Sequence, residues 1–244
     1  MRIDIVTLFP GLVEPALSES MIGRARTRGL VDIRVVNLRD YAEGRHRVTD
    51  DSPFGGGGGM ILKPEPLFAA VGALRTPTAR VILMDPRGRL LTQSMAWELA
   101  EARHLIVLSG RYEGVDERVS ERLVDDAVSI GDYVLTGGEL PALVVTDAVV
   151  RLIPGVLGGE HAAQRESFAE GLLEPPQYTR PEEFQGARVP SVLLSGDHAR
   201  IERWRRRQAL YRTWRWRPDL LAGARLTDEE RRLVEGFTRG EKPD

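Results

Sequence analysis

A chain of 244 residues, 42% of them hydrophobic and 29% charged, is long enough for one large domain or one domain with a small appendage, and its balance is that of an ordinary globular protein. Apolar runs such as 142–145 fall far short of the roughly 20 residues a membrane helix needs, and MRIDIVTLFPGL at the start lacks the apolar core and cleavage site of a signal peptide. A net charge of −2 excludes a polycation, zero cysteines exclude disulfides and thiolate metal sites and fit a reducing cytoplasm, and four scattered histidines with no HxxxH pair predict no structural metal.

In chain order, strand patterns fall at 3–9, 31–38, 79–85, 104–110 and 126–132. Helical patterns lie near 11–28, 64–75, 92–103, 115–123 and 139–152. Strands alternating with helices predict βαβ units and a mostly parallel sheet covered on both faces. Ligands of such sheets bind at the carboxyl ends of the strands. The loops there are PRGRLL, RYEGVDER and YVLTGGELP, all rich in glycine, proline or polar residues. Residues 154–180 have little periodicity and several glycines and prolines, and 181–244 reads as a short helical domain. Near its end, Thr227 with Glu230 three residues on makes a capping box. The organisation predicted is therefore 1–157, a flexible linker at 158–180, and 181–244.

Five motifs carry chemistry. The first is five consecutive glycines, Gly55 to Gly59, after the polar stretch RHRVTDDSPF. Each glycine costs about 0.5–1 kcal/mol relative to alanine in regular structure, so the run needs a reason. A phosphate-binding P-loop requires Lys and a hydroxyl directly after its last glycine, but Met60 and Ile61 follow here and Lys63 comes too late. A dinucleotide fingerprint would follow a strand and open a helix. There remain a flexible surface loop, or bare backbone that must approach a bulky ligand or a second subunit closely. The second motif, SIGDYVLTGGELP (129–141), is either a main-chain cradle for adenine and ribose or a tight turn into a helix whose dipole Glu139 favours.

In the third motif, GRYEGVDER (110–118), Glu113 is nearest the strand end and suits a ligand contact. Glu117 and Arg118 suit a solvated, ion-paired face. Fourth, the linker holds Arg165, Glu166, Glu170 and Glu174. A carboxylate on a loop that closes over a site suits a general base; equally, acids hydrate a linker. Fifth, residues 198–217 carry eight arginines against one acid, Glu202, together with Trp204, Trp214 and Trp216. The tryptophans suit helix packing, and an exposed arginine face suits nucleic-acid phosphates through salt-sensitive contacts.

Together and in this order the motifs resemble one family, the bacterial tRNA (guanine-N1)-methyltransferases, the TrmD group of the knotted SPOUT methyltransferases. The matching text is IDIVTLFP, HRVTDD.PFGGG.GM.LKPEP, LSGRYEGVDER, SIGDYVLTGGELPA, RLIPGVLG, ESF..GLLE.P.YTRP and VP.VLLSGDH..I..WR, spanning residues 1 to about 217. The resemblance implies an α/β fold whose parallel sheet carries a deep trefoil knot, with a small, mainly helical C-terminal domain that binds tRNA. It implies S-adenosylmethionine bound in a bent form, at Pro86, Gly110, Glu113, Ile130, Gly131, Asp132, Tyr133, Val134, Leu135, Gly137 and Gly138. Contacts to guanosine and tRNA are implied for Gly55, Gly56, Gly57, Glu174, Arg203 and Arg206. So are a cytoplasmic homodimer with sites shared between subunits, and a dependence on Mg2+ without a legible ligand set.

The reaction implied is methyl transfer to N1 of the guanosine immediately 3′ of the anticodon (position 37), with Glu166 as general base and Arg151 steadying charge on O6. Three positions depart from the family's pattern. Glu166 and Glu174 stand where Asp is usual, and Gly58 where proline is common, so Glu170 and Glu174 remain alternatives for the base. The rival readings are a knotted methyltransferase acting on another RNA nucleotide and an RNA-binding relative without catalysis.

Overall fold

The run Leu105-Ile106-Val107-Leu108 offers water no polar face, so a strand built from it must be covered on both sides. In the computed structural model, which describes residues 1–159 and 166–243, all four are at most 1% exposed. The chain divides into two units, Met1–Glu160 and His161–Asp244. The first opens with β1 (Arg2–Thr7), α1 (Pro10–Leu17), α2 (Ser20–Thr27), β2 (Asp32–Asn37) and a 3-10 turn at Leu38–Tyr41. A small antiparallel pair, β3 (Asp50–Asp51) and β4 (Ile61–Leu62), brackets the glycine run. Then come α3 (Pro64–Leu74), β5 (Ala79–Leu90), α4 (Gln93–Ala100), β6 (His104–Ser109), α5 (Glu117–Arg122), β7 (Asp126–Ser129) and α6 (Glu139–Val150).

The main sheet has the order β2-β1-β6-β5-β7, with every pairing parallel. Alternate side chains divide between two cores, as the two-residue period of a strand requires. Ile3, Ile5, Ile82, Met84, Leu105 and Val107 join residues of α1, α2, α4 and α6. Val6, Val81, Leu83, Ile106 and Leu108 join Leu67 and Val71 of α3 and Val119 of α5. This is the doubly covered α/β sheet predicted from the sequence.

Two elements differ from expectation. The helical pattern at 11–28 is broken into α1 and α2, because Ser20 adopts a left-handed φ of +53°. Strand β5 runs on past residue 85. Val128 pairs first with Met84 and again with Arg89, so residues 85–88 are thrown out of the ladder as a bulge.

The amino ends of β1 and β6 are closed by a buried polar cluster. Asp4 Oδ2 lies 2.7 Å from Arg2 Nη2 and 2.8 Å from His104 Nε2, and His104 Nδ1 lies 2.9 Å from the Thr76 hydroxyl.

The second unit contains a short hairpin, β8 (Glu183–Phe184) and β9 (Ala187–Arg188), and the helices α7 (Ser191–Leu194), α8 (His198–Trp216), α9 (Pro218–Leu221) and α10 (Asp228–Thr238). Its core is Leu172, Leu210 and Phe237, with Tyr211 edge-on to Phe237 at 5.2 Å. Helix α10 starts with the predicted capping box: the Thr227 hydroxyl accepts from the Glu230 N–H at 3.2 Å, and the Glu230 carboxylate accepts from the Thr227 N–H at 2.8 Å. Among the described residues no helix is long and apolar enough to cross a membrane.

Candidate active site

At the carboxyl ends of β5, β6 and β7 the first unit opens into a cleft of about 660 Å³, walled by the 85–88 bulge and the loops 110–117 and 129–138. The last two loops lie against each other. Gly138 N–H donates to the Gly110 carbonyl at 2.8 Å, and Arg111 and Gly137 form an antiparallel bridge. A Cβ on Gly138 would stand 2.8 Å from both Gly110 N and Ser109 Cα, closer than real Cβ atoms come, so only glycine fits. Leu83, Val128, Ile130, Leu135 and Pro141 supply apolar wall, while the glycine-rich turns bring backbone polar groups to the cleft. An apolar cleft with a few convergent polar groups suits a small organic ligand with a flat base, and the residues present fit an adenosine.

Asp85, Arg87, Asp116 and Glu117 at its mouth are paired. Asp85 accepts from the Arg87 backbone N–H at 2.7 Å and from its guanidinium at 2.8 Å. The Arg87 guanidinium holds this carboxyl below its ordinary range, against the opposing effect of burial. Arg87 in turn is held more firmly protonated by Asp85, and also reaches Glu117 at 3.3 Å. Arg118 pairs with Asp116 at 2.7 Å on the solvated, ion-paired face expected of it, whereas Glu117, expected there too, lines the cleft beside Arg87.

The glycine run has two physical reasons. Gly55, Gly56 and Gly57 take φ of +85°, +78° and +111° in open space, so only their backbone conformation demands glycine. Gly59, at φ +89°, also packs so closely on Glu113 that a Cβ would overlap its carboxylate. Glu113 N–H donates to the Met60 carbonyl at 3.0 Å. Gly58 has open space and a φ outside the left-handed region, so neither reason applies to it. Just before the run, Pro53 and the fully exposed Phe54 line the cleft.

Of the residues that the family resemblance implies for the methyl donor, Pro86, Gly110, Glu113, Ile130, Gly131, Tyr133, Val134, Leu135, Gly137 and Gly138 line this one cleft. Asp132 is on the same loop but outside the lining. Arg151 caps α6, its N–H donating to the Asp147 carbonyl at 3.2 Å. Sequence reading missed Phe54, Tyr112 and Thr136 in the lining and the burial of Glu139. A signal existed for the last, since Glu139 opens a helix that is apolar almost all round, and such a helix buries its first turn too.

In the second unit Glu166 begins the described residues, its carbonyl accepting from the Ala169 N–H at 3.2 Å, and Arg165 lies outside them. Residues 166–180 carry no helix or strand; Leu172 is only 5% exposed, and the Leu173 N–H donates to the buried Thr213 hydroxyl at 2.9 Å. Glu174 N–H donates to the Ser167 hydroxyl at 3.0 Å. Arg200, Arg203, Arg206 and Arg207 line a cleft of about 690 Å³ between α8 and α10. Arg203 is exposed, whereas Arg206 donates to Glu230 at 2.7 Å and Glu170 at 3.0 Å. The Glu230 hydrogen bond raises the Arg206 pKa and ties its guanidinium to internal partners. Trp214 packs against Phe237 at 6.0 Å, while Trp216 is exposed beneath Arg212.

Residues 1–223 match the family described as tRNA (Guanine-1)-methyltransferase TrmD. A protein named tRNA (guanine-N(1)-)-methyltransferase from Moorella thermoacetica is 56% identical over 248 residues, covering 99% of this chain and 98% of the relative. One of the same name from Geobacter sulfurreducens is 56% identical over 245 residues, covering all of both chains. A third, from Halalkalibacterium halodurans, is 55% identical over 242 residues and 98% of each chain. With the glycine-rich loops gathered at one cleft and this likeness running the length of the sequence, the chain belongs to the TrmD family of tRNA (guanine-1)-methyltransferases.

Proposed function

We propose that this protein transfers the methyl group of S-adenosylmethionine to N1 of the guanosine immediately 3′ of the anticodon, position 37, in tRNA. The observation that carries the proposal is the cleft itself. Motifs from β5, β6 and β7 that are far apart in sequence line one ligand-sized space, and the close Gly138–Gly110 approach joins two of them. Residues 1–157 form the cofactor domain with a deep trefoil knot, 158–180 the linker, and 181–244 the tRNA-binding domain. The knot is supported by the way loop 129–138 comes back against residues 110 and 111 after β7 has joined the edge of the sheet. The enzyme acts in the cytoplasm as a homodimer, the guanine entering between one subunit's knot and the other's linker and C-terminal domain.

Guanine N1 carries a proton and is a poor nucleophile, so the reaction needs a base. S-adenosylmethionine, when bound, supplies a methyl on a sulfonium whose sulfur leaves as a neutral thioether. The Glu166 carboxylate takes the N1 proton as N1 takes the methyl, so charge is conserved. Arg151 steadies the negative charge that develops on O6. Gly110 and the loop 130–138 hold the adenosine, and holding both reactants together supplies the proximity contribution. Gly55, Gly56 and Gly57 lie beside the guanosine, and Glu174 supports the loop of Glu166. Arg203 meets tRNA phosphate directly; Arg206 does so by exchanging Glu170 for phosphate. Among the described residues no three His, Asp or Glu side chains converge as a metal site, so Mg2+ has no assigned place in these steps.

The test is methyl transfer from labelled S-adenosylmethionine to two tRNA transcripts that differ only at position 37, G against A, with Glu166→Gln alongside. Label is expected in the G transcript alone, with Glu166→Gln slowing transfer about 10²–10⁴-fold, the usual worth of a general base. Label in the A transcript would place the target at another nucleotide. Undiminished label with Glu166→Gln would move the base to Glu170 or Glu174. Tight tRNA binding without any label would favour the non-catalytic relative.

A further inference from the structure

We propose that Thr7 and Glu139, neither of which lines the cleft, are positioning residues that hold the loop 129–138 in its binding shape through Arg111. The proposal rests on reading that cleft as the S-adenosylmethionine site. Glu139 is a carboxylate only 2% exposed, in the first turn of α6, and such a group is retained only with partners. Its Oε1 accepts from the Thr7 hydroxyl at 2.7 Å. That hydroxyl also accepts from the Phe9 N–H at 2.9 Å, so donor and acceptor roles are both used and its rotor has one setting. The other oxygen, Oε2, lies 2.9 Å from Arg111 Nε. This contact is an ion pair rather than an aligned hydrogen bond, and neither atom has an aligned partner elsewhere among the described residues.

Arg111 spends its remaining contacts on the loops around the cleft. Its Nη1 donates to the Thr136 carbonyl at 3.2 Å, and its guanidinium lies 4.5 Å over the Phe9 ring. One cation thus touches the chain after β1, the chain after β6 and the loop after β7. Gly137 completes the arrangement, since a Cβ there would overlap Arg111 and stand 2.6 Å from Glu139 Oε2. The ion pair by itself therefore accounts for the glycine at 137. Removing the charge of Glu139 leaves Arg111, whose side chain is 16% exposed, without its anion. The guanidinium then turns to water and releases the Thr136 carbonyl.

The experiment combines calorimetric titration of S-adenosylmethionine with amide hydrogen exchange over 130–138, on wild type, Glu139→Gln, Thr7→Val and Thr7→Ser. Glu139→Gln and Thr7→Val are each expected to weaken binding about tenfold or more, the scale of a lost hydrogen bond to a buried charge. Both are expected to speed exchange in 130–138 and to raise KM for S-adenosylmethionine more than they lower kcat. Thr7→Ser keeps the hydroxyl and retains wild-type values, and the Glu139→Gln/Thr7→Val double variant is no worse than Glu139→Gln alone. Unchanged affinity and unchanged exchange in the folded variants would overturn the proposal. If Glu139→Gln does not fold, the contrast of Thr7→Val with Thr7→Ser decides. Failure of the wild type to bind S-adenosylmethionine would instead refute the reading of the cleft; the exchange contrast would then support or overturn the positioning role by itself.

Discussion

Two buried carboxylates sit at opposite ends of one parallel sheet, Asp4 within β1 and Glu139 at the start of α6, and they serve different purposes. At the amino ends Asp4, with no exposed surface, is held by Arg2 at 2.7 Å and His104 at 2.8 Å, and the cluster closes the sheet. At the carboxyl ends Glu139 meets Thr7 and Arg111, and of these three Arg111 alone lines the open cleft of about 660 Å³. Asp4 binds strand to strand, whereas Glu139 binds a strand end and a helix start to loops. A charge inside an apolar sheet must be paired wherever it sits. What it pairs with decides whether it contributes to stability alone or also shapes a ligand site.

The contrast can be broken in several ways. Asp4→Asn is expected to have the largest effect on stability, about 3–5 kcal/mol, because it leaves Arg2 and His104 without their anion. Urea unfolding measures this, and folded molecules should still bind S-adenosylmethionine normally. Gly138→Ala should cost less stability, about 1–3 kcal/mol of local strain, but abolish binding, because its Cβ forces apart the two loops that form the cradle. In the glycine run, Gly59→Ala should cost about 1–3 kcal/mol, since it opposes both φ and the Glu113 contact. Gly58→Ala, with open space and an ordinary φ, should fall within about 0.5 kcal/mol of wild type. Equal melting temperatures for these two variants would refute the assignment of Gly59 to close approach.

The smallest effect concerns pH. Asp85 has a folded pKa depressed below its ordinary 3.8 by Arg87, so it contributes stability that is present above that value and lost as pH falls through the folded one. Asp85→Asn should therefore lower the melting temperature slightly near neutrality, where that contribution is present, and leave it unchanged at acid pH, which flattens the acid limb of a plot of melting temperature against pH. A steeper acid limb in the variant would contradict the pairing.

The sequence made visible what local pattern determines. Unbroken apolar runs such as 81–84 and 105–108 announced buried parallel strands, and Thr227 with Glu230 announced the start of α10, because strand period and helix capping act within a few residues. The loops at the cleft were legible as glycine-rich text at strand ends. The bulge at 85–88 was not, because it depends on Val128 pairing twice, some forty residues away. Nor was the approach of Gly59 to Glu113, or the tie of Arg206 to Glu170 and Glu230, which turns an arginine read as a phosphate contact into a group with internal partners. Glu139 shows the limit most plainly. Its place at a helix start was evident, and its partners at Thr7 and Arg111 were set by the fold.

The most direct test of the contrast between the two ends is calorimetric titration of S-adenosylmethionine into Gly138→Ala and Asp4→Asn, each held well below its own melting temperature. The account predicts wild-type affinity in Asp4→Asn and no measurable binding in Gly138→Ala. Binding retained by Gly138→Ala, or lost in folded Asp4→Asn, would contradict it.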